Sequence, residues 1–345
     1  MRHRGALLVV VCAVALIPVR VAAIDDKRAW LVDVSEAQRQ SNFEGVLLYR
    51  SGDSIDSFRV THRYKNGEAR ERLQTLTGEQ REVVRRGDKV ICLVPPGHRL
   101  PSSALHGVPQ SMIPRLDEAQ LQRIEKSYIL SELGEQRIAG RRCEGMSITP
   151  HDPLRYGYEV WADKETKVPL KVLLKGSDGK AIEQIMFTEV RFPDAIADDV
   201  FDITPQLDQG YQSIAQDQIQ SLGSQAGAVL PGAGTSDAQL SLVSIPEGFE
   251  VVMFTQRDLP GGSGTLRHWI ISDGLTFVSI FGRQNVGERR AASMPHSATA
   301  VGAMHAYRQI VGSVEITVVG EVPSRTVQVI AEGTSQRLSN DAQRP

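Results

Sequence analysis

The residues able to do chemistry are few and far apart. Beyond the N-terminal segment, histidines stand at His62, His98, His106, His151, His268, His296 and His305. A metal site needs three or four ligands in a fixed geometry. Only His98 and His106 share a loop, and two do not make a site. His151 and Asp152 are adjacent, but Pro153 follows, which is turn chemistry rather than an acid/base pair. Gly176-Ser177-Asp178-Gly179-Lys180 has the composition of a phosphate loop but lies between two strand-like runs, where a hairpin turn accounts for it. The sequence holds no GxSxG, HExxH, Walker A or GxGxxG motif. The reading is a protein that is not an enzyme, with no cofactor and no metal.

Two cysteines remain to be explained, Cys92 and Cys143. Both lie in or beside apparent strands, where a free buried thiol is natural. An oxidising compartment would equally make a disulfide between them possible. It would close a loop of roughly 50 residues and contribute about 4 kcal/mol on the chain-entropy model. No CxxC is present, so redox or zinc chemistry has no foothold.

The elements that must position these residues are mostly strands. Asp25 to Asn42 reads as an amphipathic helix, with Trp30, Val34 and Ala37 on one face. A meander follows. Gly45–Arg50 is a short apolar strand. Asp56–Lys65 alternates with Phe58, Val60, His62 and Tyr64 on one side. Asn66-Gly67 is a hairpin turn, since both residues tolerate positive φ. Glu68–Leu76, Gln80–Arg86 and Lys89–Val94 continue the sheet, and Pro95 to Pro114 reads as a long loop. Leu116–Lys126 is a helix by spacing. Strands resume at Cys143–Thr149, Tyr156–Ala162, Leu170–Lys175 and Ala181–Phe192. Gln206 to Gln239 is rich in Gln, Ser, Gly and Ala and reads as a linker, with a short helix near Tyr211–Leu222. In a second domain, Phe249–Gln256, Arg267–Ser272, Thr276–Arg283, Val314–Val319 and Thr326–Ile330 look like strands, and Ala300–Val311 has helical spacing. The fold class is therefore α+β, mostly antiparallel β, in two domains.

Charge and the N-terminus bear on location. Arg2 and Arg4 precede an apolar run from Ala6 to Ile17, and Val21-Ala22-Ala23 supplies small residues for cleavage near Ala23, the pattern of a secretory signal peptide. Losing Arg2, Arg4 and Arg20 takes the formal net charge from −2 to −5. An acidic exported protein is a poor nucleic-acid binder, so no nucleic-acid partner is expected. A wide sheet with little helix to cover it leaves a concave apolar face, and such faces hold lipid chains. Val46, Leu48, Phe58, Val60, Trp161, Leu173 and Phe187 are the candidates for lining it, with plain core packing as the competing role.

Particular stretches point further. Asn42-Phe43-Glu44-Gly45, Tyr49-Arg50 and His62-Arg63 resemble the opening strands of the RseB/MucB family. So do Arg155-Tyr156-Gly157-Tyr158-Glu159-Val160-Trp161 with Leu170-Lys171, Glu183 to Glu189, Ser272-Asp273-Gly274-Leu275, and Thr317 to Pro323. They keep their order along nearly the whole chain. The resemblance implies a periplasmic regulator, soluble after cleavage, of a sigma factor of envelope stress. It implies a large open half-barrel like that of the lipoprotein carrier LolA over residues 24–205, and a small sheet domain with a helix over 240–331. These follow a signal peptide at 1–23, are joined by the 206–239 linker and end in a disordered tail at 332–345. It implies that the chain binds the periplasmic domain of an RseA/MucA-type anti-sigma factor, shields it from the site-1 protease, and is released by lipid or lipopolysaccharide. Partner contacts are expected at the Asp273-Gly274 hairpin, through Arg267, Trp269, Asp273 and Leu275. A homodimer is left open, and a periplasmic lipid or lipoprotein carrier is the alternative function.

Overall fold

The computed structural model describes residues 19–87, 89–97, 112–215, 243–259, 264–283, 296–311 and 314–342. The expected signal peptide, apart from its last residues, lies outside them, as do most of the loop between Pro95 and Pro114 and linker residues 216–239. Among the described residues no helix is long and apolar enough to cross a membrane.

The chain begins with α1 (Val19–Gln40), then β1 (Phe43–Ser51), β2 (Ser54–Lys65), β3 (Glu68–Thr75), β4 (Glu82–Arg86) and β5 (Lys89–Val94). It continues through α2 (Glu118–Ser127), β6 (Tyr128–Ile138), β7 (Arg141–Pro150), β8 (Gly157–Asp163), β9 (Pro169–Lys175) and β10 (Ala181–Arg191). A short α3 (Thr204–Asp208) leads into β11 (Gln212–Ala215). The second part holds β12 (Glu250–Asp258), β13 (Thr265–Ser272), β14 (Phe277–Arg283), β15 (His296–Val301), β16 (Met304–Val311), β17 (Val314–Gly320) and α4 (Ser324–Ala342).

Strands β1–β11 form one antiparallel sheet of 11 strands, in the order β11-β5-β4-β3-β2-β1-β10-β9-β8-β7-β6. Two meanders are thus joined along β1 and β10. Edge strand β6 touches β10, four places away, so this half of the sheet curls on itself. A flat sheet would hold those strands nearly 20 Å apart at about 4.8 Å per strand. The result is an open half-barrel. Helix α1 lies against it through Leu31 and Val34, which share a buried cluster with Ile124, Met146, Ile148 and Val160. Two polar anchors one turn apart fix the middle of the helix: Lys27 Nζ donates to the Leu130 carbonyl at 3.1 Å, and Trp30 Nε1 to Glu144 at 2.6 Å. The small domain is a 6-stranded antiparallel sheet, β12-β13-β14-β17-β16-β15, backed by α4.

The fold class matches the sequence reading, but several elements differ. The expected helix at Ala300–Val311 is a hairpin of β15 and β16. Gly302 takes φ +57° and turns the chain, and β-branched Thr299, Val301, Ile310 and Val311 suit strands. Thr326–Ile330, read as a strand, is helical, and so is the expected disordered tail through Ala342. Val327, Ile330, Ala331 and Thr334 recur at helical spacing and are buried, the first three in the core of the small domain. Strand β6 was not foreseen. The short helix near Tyr211 is instead β11, paired with β5 from Gln212↔Val94 to Ala215↔Ile91. The first sheet therefore runs ten residues past the expected boundary at 205.

Candidate ligand groove and domain junction

A cavity of about 260 Å³ opens on the half-barrel between α1 and strands β1–β3 and β10. Its floor is apolar: Phe43, Leu47, Val60, Leu73, Ile185 and Phe187, with Met112 beside them. Of the residues expected to line a groove, Val60 and Phe187 do so. Phe58 and Trp161 are buried in the same cluster, and Leu173 is half-buried against it; none of the three faces the cavity. Val46 and Leu48 correct the expectation. Side chains alternate along a strand, so Phe43, Leu47 and Tyr49 share the buried face of β1, and Val46 and Leu48 point to the other. Reading Gly45–Arg50 without Phe43 picked the wrong parity. Phe43 was the available signal.

The rim is polar. His62 stacks on Phe43, with ring centroids 4.7 Å apart, and its Nδ1 lies 2.8 Å from the Ser41 carbonyl. Burial holds the imidazole below its ordinary value, and nearby Glu71 offsets this in part. Arg85 pairs with Glu71, and Arg70 with Glu68 at 3.0 Å. Arg39 of α1 also reaches the rim. An apolar floor under a rim of paired charges suits an apolar chain with a polar end. Among the described residues no three His, Cys, Asp or Glu side chains converge to hold a metal. Cys92 and Cys143 are free thiols buried in the core of the half-barrel. Burial pushes both up, Cys143 to about 11, which keeps them as unreactive thiols.

The residues expected to meet a partner are found elsewhere. Trp269 is 0% exposed at the centre of the small domain, in contact with Phe254. Asp273 is also 0% exposed, and Leu275 is buried in a cluster that belongs to the half-barrel. The Asp273-Gly274 turn is therefore not a free hairpin tip but a plug pressed into the large domain. Arg267 alone of the four stays half-exposed, its Nε donating to Gln256 at 3.1 Å.

Asp273 organises that junction. Its Oδ1 accepts from the Leu275 and Thr276 amides, each at 3.0 Å, which shapes the turn. Its Oδ2 accepts from the Tyr128 hydroxyl at 2.6 Å and lies 3.2 Å from Arg155 Nε. Burial, then the Asp273 charge, pushes the Tyr128 phenol well above its ordinary value. Arg155, 1% exposed, also pairs with Asp152, donates to the Glu247 carbonyl and sits 4.5 Å above the Phe249 ring. Gly274 takes φ +101°, and a Cβ there would lie 2.4 Å from the Gln120 carbonyl oxygen, so only glycine allows this approach. Lys126 and Arg123 of α2 pair with Glu250 at 3.1 and 3.3 Å on the outside. At the other end, Thr326 Oγ1 donates to the Leu154 carbonyl at 2.8 Å, and Ala303 packs with Tyr156 and Leu174.

Comparison with known proteins fits this two-part architecture. The model of the MucB/RseB N-terminal domain matches residues 26–205, and that of the MucB/RseB C-terminal domain matches 234–335. The chain belongs to the MucB/RseB family. It is 28% identical over 336 residues to the sigma factor AlgU regulatory protein MucB of Pseudomonas aeruginosa, covering 94% of this chain and 95% of that one. The sigma-E factor regulatory protein RseB of Salmonella typhimurium is 27% identical, over 90% of each chain. The solved complex of P. aeruginosa MucA and MucB superposes with a TM-score of 0.63 at 27% identity, over 89% of this chain and 97% of that chain. A crystal structure of MucB with the periplasmic part of MucA gives 0.62 at 26%. These relatives are regulatory proteins. The stretches on which the family resemblance rests also meet in space: Arg155 and Tyr156 contact the second domain, Asp273 to Leu275 contact the first, and Glu183 accepts from the Ala303 amide of the second at 2.8 Å.

Proposed function

We propose that this chain is a periplasmic regulator that binds the periplasmic domain of a MucA/RseA-type anti-sigma factor. In this reading it shields that domain from the site-1 protease, and uptake of a lipid or lipopolysaccharide acyl chain releases it. Family membership supports the regulatory role, and solved MucB structures with MucA support the partner. The observation that carries the ligand is the apolar cavity floored by Phe43, Leu47, Leu73 and Phe187 and rimmed by His62, Arg70 and Arg85. Each CH₂ buried there would contribute about 0.8 kcal/mol.

Release by lipid is thermodynamic linkage. If lipid weakens the hold on the partner by some factor, the partner weakens the hold on lipid by the same factor. Calorimetry of residues 24–345 with the anti-sigma periplasmic domain, with and without saturating lipopolysaccharide, tests this. Binding that weakens with lipopolysaccharide supports the reading, and unchanged affinity refutes the linkage. The carrier alternative gives no role to a second domain locked onto the groove domain by Asp273 and Arg155.

A further inference from the structure

The cavity and the domain junction are walled by one connected body. Met112 borders the cavity and is half-buried against two clusters, that of the half-barrel core and that which receives Leu275. Ile113, the next residue, is buried in the second cluster with Leu31 and Val34 of α1, Ile124 of α2 and Leu275 itself. Residues 112–116 form neither helix nor strand, so their backbone groups need other partners. Helix α1 supplies them. Gln38 Oε1 accepts from the Ile113 amide at 3.2 Å, and its Nε2 donates to the Ile113 carbonyl at 3.5 Å. Buried Ser35 donates to the Pro114 carbonyl at 3.0 Å and accepts from the Leu116 amide at 3.1 Å. The segment then enters Asp117, the cap of α2. Arg28 of α1 pairs with Glu118 and Glu125 of that helix.

This body has two working faces. On one, Gln38, Arg39 and Met112 border the cavity. On the other, α2 seats the small domain. Gly274 approaches so closely that a Cβ there would lie 2.8 Å from Ile124 Cγ1. Tyr128, at the C-cap of α2, donates to Asp273, and Ser127 Oγ donates to the Gly248 carbonyl at 3.3 Å. We propose that α1, residues 112–116 and α2 transmit occupancy of the cavity to the junction: an acyl chain entering beneath α1 as far as Met112 displaces them together and unseats the Asp273-Gly274 turn. This rests on the reading that the cavity holds an acyl chain.

The two states are the turn seated and the turn released. A ligand shifts such an equilibrium only by its difference in affinity for the two. The acyl chain takes up space bordered by Gln38 and Met112, so it binds better with the body moved outward. Close-packed interiors pass a displacement on rather than absorb it. A gap of about 0.5–1 Å at the turn already forfeits about a quarter to a half of the contact attraction there. Ser35 is a positioning residue in this scheme, since it borders neither the cavity nor the turn but holds residues 112–116 to α1.

Hydrogen exchange read by mass spectrometry on the chain from residue 24, with and without saturating lauric acid, tests the coupling, and calorimetry reports whether the acid binds. Exchange in peptides covering the turn from Asp273 to Thr276 should accelerate by about tenfold, within the usual range for coupled sites. Ile280, paired on both sides in the middle of the small sheet, should stay protected. Ser35→Ala should bind lauric acid as the wild type does and lose most of the acceleration at the turn. Lauric acid that binds the wild type without changing exchange at the turn overturns the coupling and leaves the acyl reading standing, whereas absence of binding overturns both. Equal acceleration at Ile280 would mean general loosening and also overturns the coupling, as does a Ser35→Ala protein with the full wild-type response. The wild-type comparison decides even where the variant does not fold.

Discussion

Replacing Asp273 by alanine should strip the junction of its organising charge. The carboxylate is 0% exposed and accepts three hydrogen bonds, from Tyr128 at 2.6 Å and from the Leu275 and Thr276 amides at 3.0 Å. It is also the ion partner of Arg155 at 3.2 Å. Removing one member of a buried pair costs about 3–5 kcal/mol, because the other charge stays buried without compensation. Arg155 keeps Asp152, the Glu247 carbonyl and the Phe249 face, which places the loss near the lower end of that range. Asp273→Asn retains an acceptor for the two turn amides but not the charge, so it should lose about half as much. Urea unfolding followed by tryptophan fluorescence and circular dichroism measures both variants. A loss under about 1 kcal/mol for Asp273→Ala, coupled with lost partner binding, would refute the junction and restore Asp273 as a surface contact.

Further outcomes follow from the same geometry. Gly274→Ala places a Cβ 2.4 Å from the Gln120 carbonyl at φ +101°, and should destabilise the docked chain by about 1–3 kcal/mol by urea unfolding; a neutral result contradicts the close approach. Cys92 and Cys143 should both titrate as thiols in denaturant and resist alkylation in the native protein, whereas a mass 2 Da lower without reductant would show a disulfide. Burial disfavours the charged form of His62, so as pH falls below 6.5 the unfolded chain takes up this proton before the folded chain does. Stability should fall as pH drops from 6.5 toward the lowered native value, and the wild-type minus His62→Gln difference in urea midpoint should be flat if this is wrong.

Much of the half-barrel was legible because local rules and tertiary structure agree there. Asn66-Gly67 turns with both residues at positive φ, and Phe58, Val60 and His62 share a buried face as their alternation requires. Helix α2 falls within a residue or two of its expected ends, behind an Asp117–Gln120 capping box. The misses arose where two periods fit one stretch. Ala300, Met304, Tyr307 and Val311 have helical spacing, yet β-branched Val301 and Ile310 lie between them and Gly302 turns the chain. In β1, Leu47 and Leu48 are adjacent and equally apolar, so only Phe43 reveals which is inside. The Asp273-Gly274 hairpin was expected to meet a partner, yet it is buried against the half-barrel. Its burial depends on Tyr128 and Arg155, more than a hundred residues earlier, and no local pattern encodes that meeting.

The central claim is that an acyl ligand in the half-barrel and an anti-sigma periplasmic domain bind this chain with opposing effect. The most direct test substitutes Ile185→Trp, a half-buried residue of the cavity wall, to fill the cavity, and measures partner affinity by calorimetry with and without saturating lipopolysaccharide. The account predicts near wild-type affinity without lipid, and lipopolysaccharide that weakens the partner in the wild type but not in Ile185→Trp. Equal weakening in both proteins would place the lipid outside this cavity and contradict the account.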